Sequence, residues 1–475
     1  MILILTSGTR MNIIDKPKVK IIGAGLAGCE AALQLAKRKI AVELYEAKPT
    51  KKSPAHHSTD FAELVCSNSL KSFDPHTAHG LLKEELKLLD CQLLQIAQTV
   101  KIPAGGALAV DRELFAKAVT EKIKAEKLIE VKNEIIHDFD ENIPTIIATG
   151  PLTLGNLAQN LEKKFGGNLS FYDAAAPIVS FESIDFNHAF YASRYDKGDV
   201  KEEVGLFQET IKCLCQPVGA TALGRPKEKN TDYINCLLSK IEYNNLIDAL
   251  TSAECAILKD FEKSEIFEGC MPVEIMAKRG LNTLRFGPLK PVGLIDPKEN
   301  RRPYAVVQLR KENAQGTMYN IVGFQTNLKF AEQKKVFALI PALKNAEFLR
   351  YGVMHRNTYL NAPKVLLPSF QTQKYKNIFI AGQLSGVEGY VESIASGLLS
   401  AIYLAVNLQK VKIPPLPQTT ILGALTAYIT APNKNFQPMN VNFGLLPPID
   451  IKDKEKRKAA YVERSLESLK EFLEI

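Results

Sequence analysis

Three glycines and an acid carry the first chemical signal. In Val19-Lys20-Ile21-Ile22-Gly23-Ala24-Gly25-Leu26-Ala27-Gly28 an apolar strand runs into a G-x-G-x-x-G turn, and Cys29 through Ala36 continue as an Ala/Leu-rich helix. Gly23 lets the strand turn sharply, Gly25 has no Cβ to obstruct a pyrophosphate, and Gly28 lets helix and strand approach. Free N–H groups and a partial positive charge at the helix N-terminus then face the anion. A second strand, Val42-Glu43-Leu44-Tyr45-Glu46, ends in an acid at about the 20-residue distance of a ribose-binding carboxylate. The set predicts a dinucleotide held by Gly23, Ala24, Gly25, Leu26, Ala27, Gly28 and Glu46. Nucleophilic chemistry needs a thiol or its like, and there are eight cysteines, at positions 29, 66, 91, 213, 215, 236, 255 and 270. None has paired C-x-x-C spacing, so neither a zinc site nor a paired redox couple is expected. Cys270 has Lys278 and Arg279 nearby in sequence, cations of the kind that lower a thiol pKa, with Glu268 opposing them. His56-His57 is no metal pair, because neighbours on an extended chain point to opposite faces.

The elements that must position these residues follow from periodicity. Thr145-Ile146-Ile147-Ala148-Thr149-Gly150 and Asn377-Ile378-Phe379-Ile380-Ala381-Gly382-Gln383 are two further apolar strands ending in small residues. They add Gly150, Gly382 and Gln383 to the expected cofactor contacts, and the helix after Gly389 is expected to face the same ligand with its N-terminus. Residues 80–96 read as one amphipathic helix and 113–126 as another. The first and closing strands stand at opposite ends of the chain, so the nucleotide-binding unit is expected to be discontinuous. The organisation is then 17–184, an inserted α+β domain over 185–330 with alternating strands such as Tyr304–Arg310, and 331–475 ending in helices. The mixed-charge run Ile451–Lys458 begins a helix with a solvated face.

Composition bounds the class. The 475 residues are 46% hydrophobic and 24% charged, as in a globular protein of two domains. Sixty Lys+Arg against 52 Asp+Glu gives +8, a mild excess that permits a basic face without establishing one. No apolar run approaches the ~20 residues of a membrane span. Met1-Ile2-Leu3-Ile4-Leu5 is too short for a signal-peptide core, and Met11 is an alternative start. These features place the chain in the cytoplasm, away from membranes.

Several longer motifs lie along the chain from Lys18 to about residue 470. They are Glu63-Leu64-Val65-Cys66-Ser67-Asn68-Ser69-Leu70, Pro103 through Arg112, Tyr172 through Val179, Phe267-Glu268-Gly269-Cys270-Met271-Pro272, Tyr351 through Thr358, Phe436 through Asn440 and Leu446-Pro447-Pro448. On these the chain resembles the folate- and FAD-dependent RNA uracil-5-methyltransferases. It departs from them in an extra segment at about 200–230, which includes Cys213-Leu214-Cys215 and Arg225-Pro226-Lys227.

The resemblance implies an α/β fold, a Rossmann-like FAD-binding domain interrupted by the insert. It implies FAD as the bound dinucleotide, 5,10-methylenetetrahydrofolate as carbon donor and NAD(P)H as reductant. It further implies Cys270 as the nucleophile that adds to C6 of uracil, making C5 reactive, and Cys66 as the thiol that removes the C5 proton or helps resolve the adduct. His355 stacking on the pterin and Arg356 pairing with a carboxylate are also expected. Lys278, Arg279, Arg285, Lys290, Arg301, Arg302, Arg310 and Lys311, with Phe286 and Tyr304 as stacking partners, would meet an RNA backbone and an unpaired base. The expected product is 5-methyluridine in the T-loop of tRNA. The alternatives are the same chemistry on ribosomal RNA, a flavin-binding wobble-uridine modifier, and a non-catalytic flavin-binding protein.

Overall fold

The computed structural model describes residues 18–53, 55–153, 155–166, 169–196, 232–256, 271–434 and 436–474, apart from the side chains of 169–174, 196, 355 and 356. Five short strands form a parallel sheet in the order Ile378–Ile380, Thr145–Ile147, Val19–Ile22, Val42–Tyr45, Ile129–Lys132. Ile21 lies opposite Leu44 on one side and Ile146 on the other, and Ile146 lies opposite Phe379. Strands covered on both faces are continuous apolar runs, which is why these segments stand out in the sequence. The chain order reverses between Val19–Ile22 and Thr145–Ile147, and such sheets bind ligands at the carboxyl ends beside that point.

Two helices lie against this sheet with their backbones in close contact. A Cβ on Gly397, within the helix Tyr390–Leu408, would overlap the carbonyl oxygen of Ala27 in the helix Leu26–Lys37. Tyr390–Leu408 is the one described helix long and apolar enough to cross a bilayer, but 83% of its apolar window is buried within the chain. It is the core helix of this unit.

A second, antiparallel sheet has its own core. Its order is Ala189–Tyr191, Tyr233–Leu238, Ala305–Lys311, Met318–Ile321, Ile178–Ser180, Phe348–Arg350. The helices Lys240–Ser252 and Phe330–Phe337 contribute Tyr243, Leu246, Val336 and Phe337 to that core. The sheet reaches beyond 185–330 at both ends, because Ile178–Ser180 and Phe348–Arg350 pair with each other inside it. A ribbon of Leu169–Ala174 against Met354–Tyr359 leads into and out of it. The extra segment at about 200–230 lies outside the described residues.

One helix expectation needs correction. The stretch 80–96 is two helices, Ala78–Leu88 and Gln92–Thr99, parted at Asp90, whose φ is +56°. The buried Glu30 side chain explains the break: it accepts from the N–H groups of Gln92 (3.0 Å) and Leu93 (2.7 Å), capping the second helix from another element. Glu85 acts the same way on the helix Ile421–Thr430, accepting from Ile421 N (2.7 Å) and Leu422 N (2.9 Å) and from the Ser465 hydroxyl of the helix Lys454–Glu474.

Burial raises the Glu85 carboxyl from 4.5 to about 7, while Ser465 and the two N–H groups pull the other way. The folded chain therefore holds a proton that the unfolded chain has released. This site's contribution is full below 4.5 and is lost as pH rises through about 7. Glu85→Gln should remove that slope from urea-denaturation free energies measured across the window. Glu85→Ala, which strands two helix N–H groups, should cost about 1–3 kcal/mol in the same measurement.

Candidate functional site

The glycine turn sits at the carboxyl end of Val19–Ile22. Gly23 has φ +104°, and a Cβ there would stand 2.6 Å from the carbonyl oxygen of Ala148. At Gly28 a Cβ would overlap Gly23 O, so helix and strand meet backbone to backbone. Around Gly25 no atom lies within 4 Å of where a Cβ would be, which leaves the space above the helix N-terminus open. Glu46 is buried beside the turn, its carboxylate accepting from Ala24 N (2.9 Å) and Lys48 N (3.0 Å).

A cleft runs from Glu46 across Gly23–Leu26, between Thr149-Gly150 and Gly382-Gln383, to Val65, Tyr390 and Ser393; Ala27 is also in its wall. Gly150 and Gly382 have φ of +71° and +73°, conformations that spare the cleft a side chain. Gly382 N donates to Ser396 Oγ at 2.7 Å, and the Gln383 amide donates to the Glu388 carboxylate. Lys48, Lys51 and His56 also line the cleft. Lys48 is paired with Glu63 at 3.9 Å. His56 Nδ1 lies 2.6 Å from Ser53 Oγ, and burial, then the nearby Lys48, lowers its imidazole below the ordinary range.

Cys66 lies in an irregular loop beside the far end of the cleft. Its N–H donates to the Tyr390 hydroxyl (2.7 Å), as does that of Ser67 (3.2 Å). Arg112 donates to Leu64 O (2.7 Å) and to the Glu312 carboxylate (2.6 Å), and Arg350 donates to Val65 O (2.8 Å). Burial, then the facing Cys66, pushes the Tyr390 phenol well above its usual value, so the hydroxyl keeps its proton. For Arg112 burial is the largest influence and lowers the value, but Glu312 and its neighbours carry it upward overall. Arg350 is lowered by burial and then by Arg112.

The structure brings Gly23 through Ala27, Glu46, Gly150, Gly382 and Gln383 to one cleft, packs Gly28 behind the turn against Gly23 O, and places Cys66 beside two residues of the cleft wall, Val65 and Tyr390. Cys270, like Cys213 and Cys215, lies outside the described residues. His355 and Arg356 lie on the ribbon strand Met354–Tyr359, with side chains outside the described part. Lys278 ends the helix Val273–Lys278, and Arg279 caps it. Arg285 donates to Tyr304 O (3.0 Å) and covers the Tyr304 ring at 4.3 Å, so that face of Tyr304 is taken; Phe286 is 77% exposed. Arg310 is not a surface cation. It is buried, bonded to Asn68 Oδ1 (3.1 Å) and Ser67 Oγ (3.2 Å), because its strand faces the Cys66 loop. Arg301 is paired with Glu299.

Sequence reasoning did not single out Tyr390, Arg112, Arg350 or Glu312. Arg112 closes one of the longer motifs, and Tyr390 follows the glycine already noted. Their partners are far away in the chain, so spacing alone carried no sign of the contact.

The chain is similar to a family model, to two relatives and to a solved structure. The family model described as Glucose inhibited division protein A matches residues 18–217 and 218–412. A protein from Acetivibrio thermocellus named methylenetetrahydrofolate--tRNA-(uracil-5-)-methyltransferase TrmFO is 52% identical over 459 residues, 96% of this chain and 98% of that one. One of the same name from Halalkalibacterium halodurans is 50% identical, over 97% of this chain and 99% of that one. Among solved structures, Aquifex aeolicus GidA (form II crystal) superposes with a TM-score of 0.67 at 15% identity, covering 98% of this chain and 75% of that one. That likeness concerns the fold.

The glycine geometry yields a paired test. Gly25→Val should leave the thermal midpoint of the ligand-free chain almost unchanged, since nothing occupies that space, and weaken dinucleotide binding by at least about 100-fold in a fluorescence titration. Gly28→Ala should instead lower the thermal midpoint, because its methyl meets the Gly23 carbonyl.

Proposed function

Because the chain belongs to the Glucose inhibited division protein A family and, within it, to the methylenetetrahydrofolate--tRNA-(uracil-5-)-methyltransferases, we propose the following reaction. It moves the one-carbon unit of 5,10-methylenetetrahydrofolate to C5 of a uridine in tRNA and reduces it to methyl. Ribosomal RNA is not the substrate that the relatives' names support. The uridine is the T-loop one, the reductant is NAD(P)H, and the reaction takes place in the cytoplasm.

One observation carries the reading: a cleft lined by the glycine turn and Glu46 is also lined by Val65 and Tyr390, which adjoin the thiol-bearing Cys66. The residues present suit FAD. The open space over Gly25 admits a pyrophosphate, the helix N-terminus at Leu26 offers it N–H groups, and Glu46 stands where a ribose hydroxyl would bond. Gly150 and Gly382 leave room further along, and Tyr390 and Ser393, in the first turn of the helix Tyr390–Leu408, would meet the flavin ring. When bound, FAD supplies the hydride that a methylene carbon needs to become methyl.

The chain's own residues do the rest. Cys270 adds through sulfur to C6 of the uracil, and the electron pair moves toward C5, which then bonds the carbon leaving the folate nitrogen. Cys66 takes the proton from C5 as the second folate C–N bond breaks, and once a hydride has reduced the exocyclic methylene to methyl, the electron pair returned to the ring expels the Cys270 sulfur from C6. Tyr390 holds the Cys66 loop through two N–H groups. Lys278, Arg279 and Arg285 offer positive charge to the RNA backbone, and the exposed Phe286 offers a ring for stacking an unpaired base. His355 and Arg356 are assigned to the folate.

The test is incubation of the yellow protein with an unmodified tRNA transcript, methylene-labelled folate and NAD(P)H. Label should appear in the tRNA as 5-methyluridine at one T-loop position. Label that appears only with S-adenosylmethionine, or no label in RNA, overturns the reading. Cys270→Ala should abolish transfer. Cys66→Ala should lower it by about 10²–10⁴, the range for a placed proton-transfer group, with FAD retained.

A further inference from the structure

We propose that Arg112 and Glu312 form a latch between the two sheets' units, one that positions the Cys66 loop and sets the charge its thiol meets. The inference rests on the reading of Cys66 given above. Residues 64–68 belong to no helix or strand, so side chains from elsewhere hold their backbone groups. Arg112 grips Leu64 O, Arg350 grips Val65 O, and Tyr390 receives the N–H groups of Cys66 and Ser67. Asn68 donates to Val110 O (3.1 Å) and to Lys311 O (2.9 Å), and Arg310 bonds both Asn68 and Ser67.

These groups come from both units. Arg112 opens the helix Arg112–Ala125, packed on the parallel sheet's unit, and Tyr390 opens that unit's core helix. Arg310, Glu312 and Arg350 come from the antiparallel sheet or the residue just after its strand Ala305–Lys311. The bond between Arg112 Nη2 and Glu312 Oε2, 2.6 Å long, is the charged join between them. Helix and strand end are also tied by Ala314 N to Asp111 Oδ2 at 2.8 Å.

A buried ion pair adds little net stability, because desolvation offsets attraction; its effect lies in geometry and in local charge. Both effects bear on Cys66. Arg112 Nε and Glu312 Oε1 are buried with no hydrogen-bond partner among the described residues, a cost that a simple strut avoids. The charged groups around the loop are the guanidiniums of Arg112, Arg350 and Arg310 and the carboxylate of Glu312, with Tyr390 protonated. Arg310 is directed at Asn68 and Ser67, Glu63 at Lys48 and at the N–H groups of His57 and Ser58, and Asp111 at the N–H groups of Glu113, Leu114 and Ala314. Two guanidiniums against one carboxylate leave a positive surplus, which favours the thiolate that accepts a proton.

The experiment uses the full-length FAD-bound protein and iodoacetamide, with alkylation at Cys66 followed by peptide mass mapping across pH. Glu312→Gln keeps an acceptor but removes the carboxylate paired with Arg112, and should move the alkylation profile of Cys66 to lower pH. Arg112→Gln should move it to higher pH. Both should cut kcat by at least about tenfold, with KM for tRNA within about threefold and FAD retained. A latch variant that fails to fold is replaced by Arg350→Gln, which should shift the profile in the same direction as Arg112→Gln. Folded variants with an unmoved profile overturn the latch while leaving Cys66 its role. Full methylation by Cys66→Ala overturns that role, and the latch with it.

Discussion

The cleft exists because three backbone segments approach one another more closely than side chains permit. Gly28 rests on the Gly23 carbonyl, Gly23 on Ala148, and Gly397 on Ala27. With side chains absent at these points, the helices Leu26–Lys37 and Tyr390–Leu408 cross in direct contact, and both begin at the same opening. Each contributes the positive end of its dipole. Two such ends along one groove match a ligand that has an anionic pyrophosphate at one point and carbonyl acceptors further along. A single added methyl at Gly397 would wedge the helices apart and one at Gly28 would lift its helix off the glycine turn, so the site and the core are one construction.

The two units are joined differently from the way each is built. Inside each, Leu, Ile, Val and Phe side chains supply the cohesion. Around the Cys66 loop the two units meet through polar bonds, with Asn68 on Lys311 O, Tyr233 on Ala104 O and Asp111 on Ala314 N beside the Arg112–Glu312 pair. Directional bonds specify one docking arrangement without the adhesion of an apolar face. The thiol loop lies on this seam, so its shape depends on how the units are docked.

Much of this was legible in the chain itself. The strands Val19–Ile22, Val42–Tyr45, Thr145–Ile147 and Ile378–Ile380 could be read because burial on both faces makes a strand a short apolar run. The glycine spacing and Glu46 could be read because each answers a local steric or bonding need. What sequence could not show is what acts across distance. Glu30 interrupts an apparently continuous helix by capping its second half from 62 residues away. Arg310 looks like a surface cation within its strand, and only the fold turns it toward Ser67 and Asn68. Tyr390 and Cys66 stand 324 residues apart. No periodicity reports such a pairing.

The late arrival of the strand Ile378–Ile380 has a consequence for synthesis. A ribosome delivers Thr145–Ile147 long before its outer neighbour exists, and the whole antiparallel unit emerges in between. Through that interval one margin of the parallel sheet stays open, with N–H and C=O groups able to pair with any passing extended segment. The antiparallel unit, whose strands are all delivered before Ile378, is complete first. The nucleotide groove can therefore close only after Gly382, Gln383, Tyr390 and Ser393 have been made.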